Sequence, residues 1–444
     1  MIKTRAIKLG VSLATVLGMA ACTADTQAPS DPSDQDTDAD ESELKQWKRG
    51  AWELKLSTGP SQFSPFRTLL KSADVVGIGE SIHMTGTQHA LRVDAMKYMI
   101  ERLQFRVIGI ETGYLSSRPL AAYLAGEHDS LDEAMASVIG AFTSVEDGEF
   151  YKWVKDWNQT HPSDRVVAFG FDVQDLETVA YLRQENKSLG FSQAPQFTSC
   201  FCAQSKSLQA CANSVDRSIA YGQAAFEGPR YDSCIADIQK ESNLLTQADF
   251  SAKSAGVRQS IQEARVVLAM LRGYTNQLHE QVVNESESHR FRDEAMADIA
   301  VQQVNTLGKK AIFVAHNNHL DKSNASLLQQ RLGSKLPMFG GFVRQRLGSR
   351  YKTVGQFSFN TEVNWPGGMP SPAPHNRTGA YEKMLKQTDK DYLLLDNSDN
   401  ALFGKGDSFF MEDRSNAARS IPSEHYDLTL YSETSVGMKY YGAP

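Results

Sequence analysis

Asp74–Arg92 reads D-V-V-G-I-G-E-S-I-H-M-T-G-T-Q-H-A-L-R. Its first half, Val75 to Gly79, is a short apolar run with two glycines, the pattern of a strand buried on both faces. The run stops at Glu80 and His83, and from Thr87 the apolar period lengthens. Met96, Met99, Ile100 and Leu103 stand at i, i+3, i+4 and i+7, one face of a helix that packs on a sheet. Phe105 to Ile110, F-R-V-I-G-I, is the next buried strand and ends at Glu111. Strand, helix and strand in so short a span call for parallel strands joined by a right-handed crossover. An acid and an imidazole are thereby delivered to the C-terminal mouth of a strand, the edge where open α/β sheets bind ligands.

The pattern repeats further on. Arg165 to Val173 is a third strand closing with Asp172, and Lys309 to Ala315 is a fourth that runs into His316-Asn317-Asn318-His319. Later strands are Lys352 to Phe359, Tyr392 to Leu395 and Tyr426 to Tyr431. Leu115 to Thr160 is helical in period, with Trp153 and Trp157 on one face. Gln174 to Thr306 has little strand signal and reads as a helical insertion or lid, about residues 175–305, that includes a helix over Ile261 to Val283. Trp47 to Leu70 reads as an irregular or helical approach, and Gly367 to Pro374 as a loop. The fold class is α/β: a mixed, largely parallel sheet flanked by helices, in a domain spanning residues 46–444.

Hydrophobic content of 41% and charged content of 22% exclude a disordered or fibrous chain. A pI near 5.9 and the lack of a basic stripe argue against nucleic acid as a partner. The N-terminus carries Lys3, Arg5 and Lys8, then the apolar run Leu9 to Ala21, a secretion signal too short for an ordinary membrane span. Ala20-Ala21-Cys22 resembles a bacterial lipobox, which makes Cys22 the lipidated first residue; plain cleavage near Ala21 is the alternative. Thr23 fits retention at the outer membrane, facing the periplasm or the cell surface. Removing residues 1–21 takes away three bases and lowers the net charge from -7 to -10. Eight acids and no base between 23 and 43 then make 22–45 a solvated tether, and the remainder is nearly neutral. Setting Cys22 aside leaves Cys200, Cys202, Cys211 and Cys234, an even set that reads as two disulfides in a secreted chain, with structural zinc as the alternative.

Four strand ends thus present Glu80 with His83, Glu111, Asp172, and His316 with His319. Apolar strands that each stop at an ionisable residue are expected to converge on a cleft, because an unpartnered buried charge is costly. A neutral imidazole held by carboxylates can take a proton from water near neutral pH, while a cation or a second imidazole steadies the developing oxyanion. Either Glu80 or Glu111 orients His83; Arg92 pairs with Glu111 or faces the oxyanion.

G-E-S-I-H at 79–83 with Arg92 twelve residues past Glu80, I-G-I-E-T at 108–112, G-F-D-V-Q at 170–174, R-D-E-A-M at 292–296 and V-A-H-N-N-H at 314–319 resemble the erythromycin esterase family in order and spacing. The resemblance runs from roughly residue 70 to 360. It implies that His83 is the base activating water against an ester or lactone and that Glu80, Arg92, Glu111, His316 and His319 complete the catalytic set; no cofactor is expected. Met84 stands where a glycine commonly follows the histidine, and Thr87 where an acid is frequent. Asn317 is a candidate to orient a substrate carbonyl, or a loop cap. Asp172 is a candidate to bond the backbone, to support a histidine or to contact substrate. Arg292 and Asp293 read as an ion pair bracing the lid, and His89 as a residue of the helix surface.

Three alternatives stand beside this. Two imidazoles and two carboxylates could hold a divalent metal whose hydroxide is the nucleophile, although the helical spacing of H-E-x-x-H is absent. Ser81 lacks the G-x-S-x-G elbow. A ligand-binding lipoprotein is a further class, since a related fold binds haem, with His83 or His316 as the iron ligand.

Overall fold

The computed structural model describes residues 46–175, 229–247, 255–364 apart from 282, 380–411 apart from 405, and 419–442. The signal segment, Cys22, the acidic tether, Cys200, Cys202, Cys211 and the loop 367–374 lie outside the described residues.

The strands are β1 (Gln46–Lys48), β2 (Ala51–Glu53), β3 (Val75–Ile78), β4 (Phe105–Gly113), β5 (Val167–Asp172), β6 (Lys310–Val314), β7 (Tyr351–Thr361), β8 (Tyr392–Asp396), β9 (Phe409–Phe410), β10 (Arg419–Ser420) and β11 (Leu428–Ser435). β9 and β10 pair with each other. The other nine form one sheet in the order β1-β2-β8-β11-β7-β3-β6-β4-β5. From β11 to β5 every neighbouring pair is parallel, and the β1, β2, β8 edge is antiparallel. The expected mixed, largely parallel α/β architecture is therefore the one observed. Trp47–Leu70 departs from expectation. Two three-residue strands extend the sheet there before a 3-10 turn at Leu56–Phe63, and three residues are too few for alternation to register in a sequence.

Alternation along the buried strands sends side chains to two cores. Val75, Val107 and Phe313 join the helices Pro229–Gln247, Ala255–Glu280, Glu285–Leu307 and Phe339–Leu347 on one face. Val76, Ile78, Ile108, Ile110, Ile312 and Val314 join Gly86–Leu103, Arg118–Ala125 and Val145–Thr160 on the other. Met96, Met99 and Ile100 are buried as their spacing requires. The stretch expected to be helical contains the helices Pro229–Gln247 and Ala255–Glu280. No helix among the described residues is long and apolar enough to cross a membrane.

Four adjacent parallel strands, β3, β6, β4 and β5, therefore end side by side. β4 also carries a register shift between Ile110 and Gly113, the kind of irregularity that re-aims a side chain at a sheet rim, and Glu111 lies inside it.

Candidate active site

The β3 mouth is built on a close backbone approach. A Cβ on Gly79 would come within 1.9 Å of Asn317 Oδ1, so only glycine lets the β6 loop lie there. Asn317 donates its backbone N–H to the Glu80 carbonyl at 2.8 Å and its side-chain amide to the Gln356 carbonyl at 2.7 Å. It is fully buried. These bonds fit the loop-cap reading: Asn317 laces β3, β6 and β7 together.

Glu80 is fully buried, with Oε1 2.5 Å from His83 Nδ1 and Oε2 3.0 Å from His89 Nε2 and 3.1 Å from Arg92 Nη1. Burial alone would raise its pKa, but the bonds from His83 and His89 outweigh burial and hold the carboxyl well below the ordinary range. For His83, burial favours the neutral ring, and the bond and charge of Glu80 reverse that and raise its pKa above 6.5. Its side chain is 32% exposed. Phe142 stands edge-on to the ring with centroids 6.1 Å apart.

His89 is not a surface residue of its helix. It is completely buried, with Nδ1 2.7 Å from Asp147 Oδ2. Burial and the neighbouring Arg92 disfavour its charge, yet Asp147 and Glu80 raise its pKa. Arg92 also corrects an expectation. Its Nη2 donates to Asp147 Oδ1 at 3.0 Å, and with Nη1 on Glu80 it pairs with neither Glu111 nor an open position. Asp147 is placed by the start of the helix Val145–Thr160, where it forms a reciprocal capping box with Ser144.

The β4 and β5 mouths carry a second cluster. Glu111 Oε1 lies 3.1 Å from His319 Nε2 and 3.2 Å from Arg292 Nη2, while Oε2 accepts the His316 backbone N–H at 2.8 Å. Arg292 is bidentate on Asp172, at 3.0 and 2.6 Å. Asp172 thus serves the guanidinium, and its Oδ1 also accepts the Gln174 N–H at 3.2 Å, the backbone bond among its expected roles. Arg292 and Asp293 do not pair with each other as expected: Asp293 Oδ1 lies 2.6 Å from His319 Nδ1 and accepts the Phe339 N–H at 2.8 Å. Burial disfavours charge on His319, but Asp293 and Glu111 push its pKa up to about 10. It is an imidazolium at neutral pH.

His316 is the opposite case. Its Nδ1 accepts the Asn318 N–H at 3.1 Å as the N-cap of the turn Asn317–Leu320, so Nε2 carries the proton, 3.0 Å from the Ser81 carbonyl. Burial, then the neighbouring His83, lowers its pKa to about 4. Both nitrogens are occupied, and the ring can neither accept a proton nor ligate a metal as it stands. Among the described residues no group of three or more His, Cys, Asp or Glu is placed to hold a metal ion. The polar side chains are matched instead as carboxylate–cation pairs.

Met84 has φ +69, a left-handed conformation that suits the glycine common at this point and costs a larger residue on the order of 1 kcal/mol. Its side chain is 7% exposed, and Tyr440 donates to its sulfur at 3.0 Å. Burying a methionine is worth about 2 kcal/mol, enough to offset the strain. Thr87 Oγ1 accepts the Val436 N–H at 3.1 Å, tying the helix start to the end of β11.

The residues that single-position reading missed are His89, Asp147 and the true partners of Arg292 and Asp293. The one local signal was Ser144-x-x-Asp147 ahead of a helix. That marks a cap and says nothing of the imidazole it meets.

A mixed, largely parallel sheet with Glu, His and Arg gathered at its strand ends is the scaffold, and this chain belongs to the erythromycin esterase family, whose model matches residues 100–435. Glu111, Asp147, Asp172, Arg292, Asp293, His316 and His319 lie within that match. The chain is 24% identical over 381 residues to "Putative hydrolase YbfO" of Bacillus subtilis (strain 168), covering 80% of this chain and 82% of that protein. It is 31% identical over 72 residues to erythromycin esterase type I of Escherichia coli, 16% of this chain and 18% of that one. Among solved structures, a Bacillus cereus protein superposes with a TM-score of 0.71 at 16% identity, covering 88% of this chain and 97% of its own. A variant of the erythromycin esterase EreC in its open conformation superposes with a TM-score of 0.63 at 18% identity, covering 86% and 96%.

Proposed function

We propose that this chain is a carboxylic-ester or lactone hydrolase in which His83 activates water. One observation carries the reading. Of the four clustered imidazoles His83, His89, His316 and His319, only His83 keeps a ring nitrogen, Nε2, without a partner among the described residues, and its side chain is part-exposed. Glu80 holds the Nδ1–H and so fixes the tautomer whose bare Nε2 can accept a proton.

Water attacks the carbonyl carbon as its proton passes to Nε2, and the carbonyl electron pair moves to oxygen. The oxyanion collapses, breaks the carbon–oxygen ester bond and leaves an alkoxide that recovers the proton from His83. Arg292, whose Nη1 has His319 at 3.4 Å and no carboxylate among the described residues, supplies with His319 the positive potential for that oxyanion. Phe142 beside His83 favours a hydrocarbon acyl or alcohol portion, a macrolide-like lactone included.

The same reading places the protein in the cell envelope, anchored through a lipidated Cys22 after loss of residues 1–21. Two disulfides among Cys200, Cys202, Cys211 and Cys234 belong to it; Cys234 is buried and disulfide-bonded, which supports that part.

The test is hydrolysis of a chromogenic ester and a macrolide panel, with and without a chelator, beside His83→Ala. Activity that survives the chelator and falls by about 100-fold or more in the variant is expected. Activity lost to the chelator would replace this mechanism with a metal-bound hydroxide. No cleavage of any ester by the folded protein would overturn the esterase reading.

A further inference from the structure

Two constructions made of the same parts flank His83. In the first, buried His89 puts Nε2 3.0 Å from Glu80 and Nδ1 2.7 Å from Asp147 and 3.0 Å from Arg92 Nη2, while Arg92 Nη1 closes on Glu80 at 3.1 Å. In the second, His319 puts Nε2 3.1 Å from Glu111 and Nδ1 2.6 Å from Asp293, while Arg292 closes on Glu111 at 3.2 Å. Each bridges a strand-end glutamate to a buried aspartate on a helix. They differ at the glutamate's second oxygen: Glu111 spends it on the His316 backbone N–H, Glu80 on the His83 ring. Glu80 is therefore shared between two imidazoles, and how much of its charge His83 feels depends on whether the other is cationic.

We propose that His89 is a positioning residue: held between Asp147 and Glu80 as a buried cation, it partly neutralises Glu80 and so sets the basicity of His83. The groups facing His83 are Glu80 from β3, Glu111 from β4, and His316 and His319 after β6. Those facing His89 are Glu80, Arg92 and Asp147, with Tyr151 behind Arg92 and Asp147. A carboxylate bearing no imidazolium would hold the His83 proton more tightly and leave less bare base at neutral pH. His89, which meets no solvent, thereby acts on the reaction through Glu80 alone.

The inference rests on His83 being the base, but its test needs no turnover. The full chain labelled with 15N-histidine is titrated by long-range proton–nitrogen correlation, which reads each ring's protonation directly. In the wild type, His89 is expected to carry protons on both nitrogens at neutral pH; a neutral His89 ring there overturns the proposal. In folded His89→Gln, the His83 midpoint is expected to rise by about one pH unit, since Glu80 keeps only Arg92 as a cation. An unmoved midpoint overturns it. If circular dichroism shows that this variant does not fold, Asp147→Asn is read the same way, because it removes the anion that keeps His89 charged. A shifted midpoint in a protein that cleaves no ester would sink the esterase reading and leave this one standing; an active esterase with an unmoved midpoint would do the reverse.

Discussion

One carboxylate oxygen, Glu80 Oε1, holds the His83 ring by its Nδ1 at 2.5 Å. That bond both orients the ring and raises its proton affinity. Glu80→Gln is therefore expected to cut the hydrolysis rate by about 100-fold and to move the midpoint of any residual activity down toward 6.5, the ordinary histidine value. The direction is opposite to that expected for His89→Gln. A midpoint in Glu80→Gln equal to the wild type's would show that Glu80 does not control the ring.

The pH dependence of the wild type follows from the same shift. The neutral ring is the base, so activity rises with pH through the raised midpoint of His83 and its acidic limb lies above 6.5. A rate profile flat from about pH 5 to about pH 8 would be incompatible with His83 as the proton acceptor.

His319 controls stability with a defined sign. Its folded pKa of about 10 exceeds the ordinary 6.5, so the stability it contributes is complete below pH 6.5 and is lost as pH rises through about 10. His319→Gln leaves Glu111 and Asp293 without their shared cation, a loss on the order of 3 kcal/mol. Denaturant melts should show a large gap between wild type and variant near neutral pH that narrows in alkali.

His316 is a cap and a tie to Ser81, not a base. His316→Ala is expected to cost about 1–2 kcal/mol of stability for the lost cap and carbonyl bond. The midpoint of the rate profile should barely move, because the ring it removes is already neutral. A lost acidic limb in this variant would transfer the role of base to His316.

Gly79→Ala would drive a methyl group into Asn317 Oδ1. The β6 loop must then retreat from the carbonyl of Glu80, which Asn317 binds. Thermal unfolding should show a loss of at least about 2 kcal/mol, and an unchanged melting curve would refute the close packing.

Much of the scaffold was legible because strands buried on both faces leave continuous apolar runs. Val75–Gly79, Phe105–Ile110 and Lys309–Ala315 each predicted a strand within a residue or a few of its observed limits. β4 runs on through Glu111 to Gly113, because a bulge lets polar residues continue the strand. β1 and β2 escaped, being too short for a period. At the site, Glu80, His83, Glu111 and His319 stand where strand ends predicted them. Arg92 was assigned the wrong partner, and the full bond sets of Asn317 and Asp172 were not legible, since each bonds across at least two elements.

Residue order alone determined that ionisable groups close the apolar strands, since a strand period and its abrupt end are local properties of the chain. It also determined family membership through motifs spread along the sequence. Which groups stay charged was decided only in three dimensions. His89, His316 and His319 are the same side chain, yet two are driven toward the cation by facing carboxylates and one is driven neutral by burial and the neighbouring His83. Those partners come from sequence positions as far apart as Glu80 and Asp147, or Glu111 and His319, and meet only because parallel strands bring their ends to one edge. The proton affinity of an imidazole is set by its burial, by charges within about 4–6 Å and by its hydrogen bonds, and no local pattern in the chain specifies those.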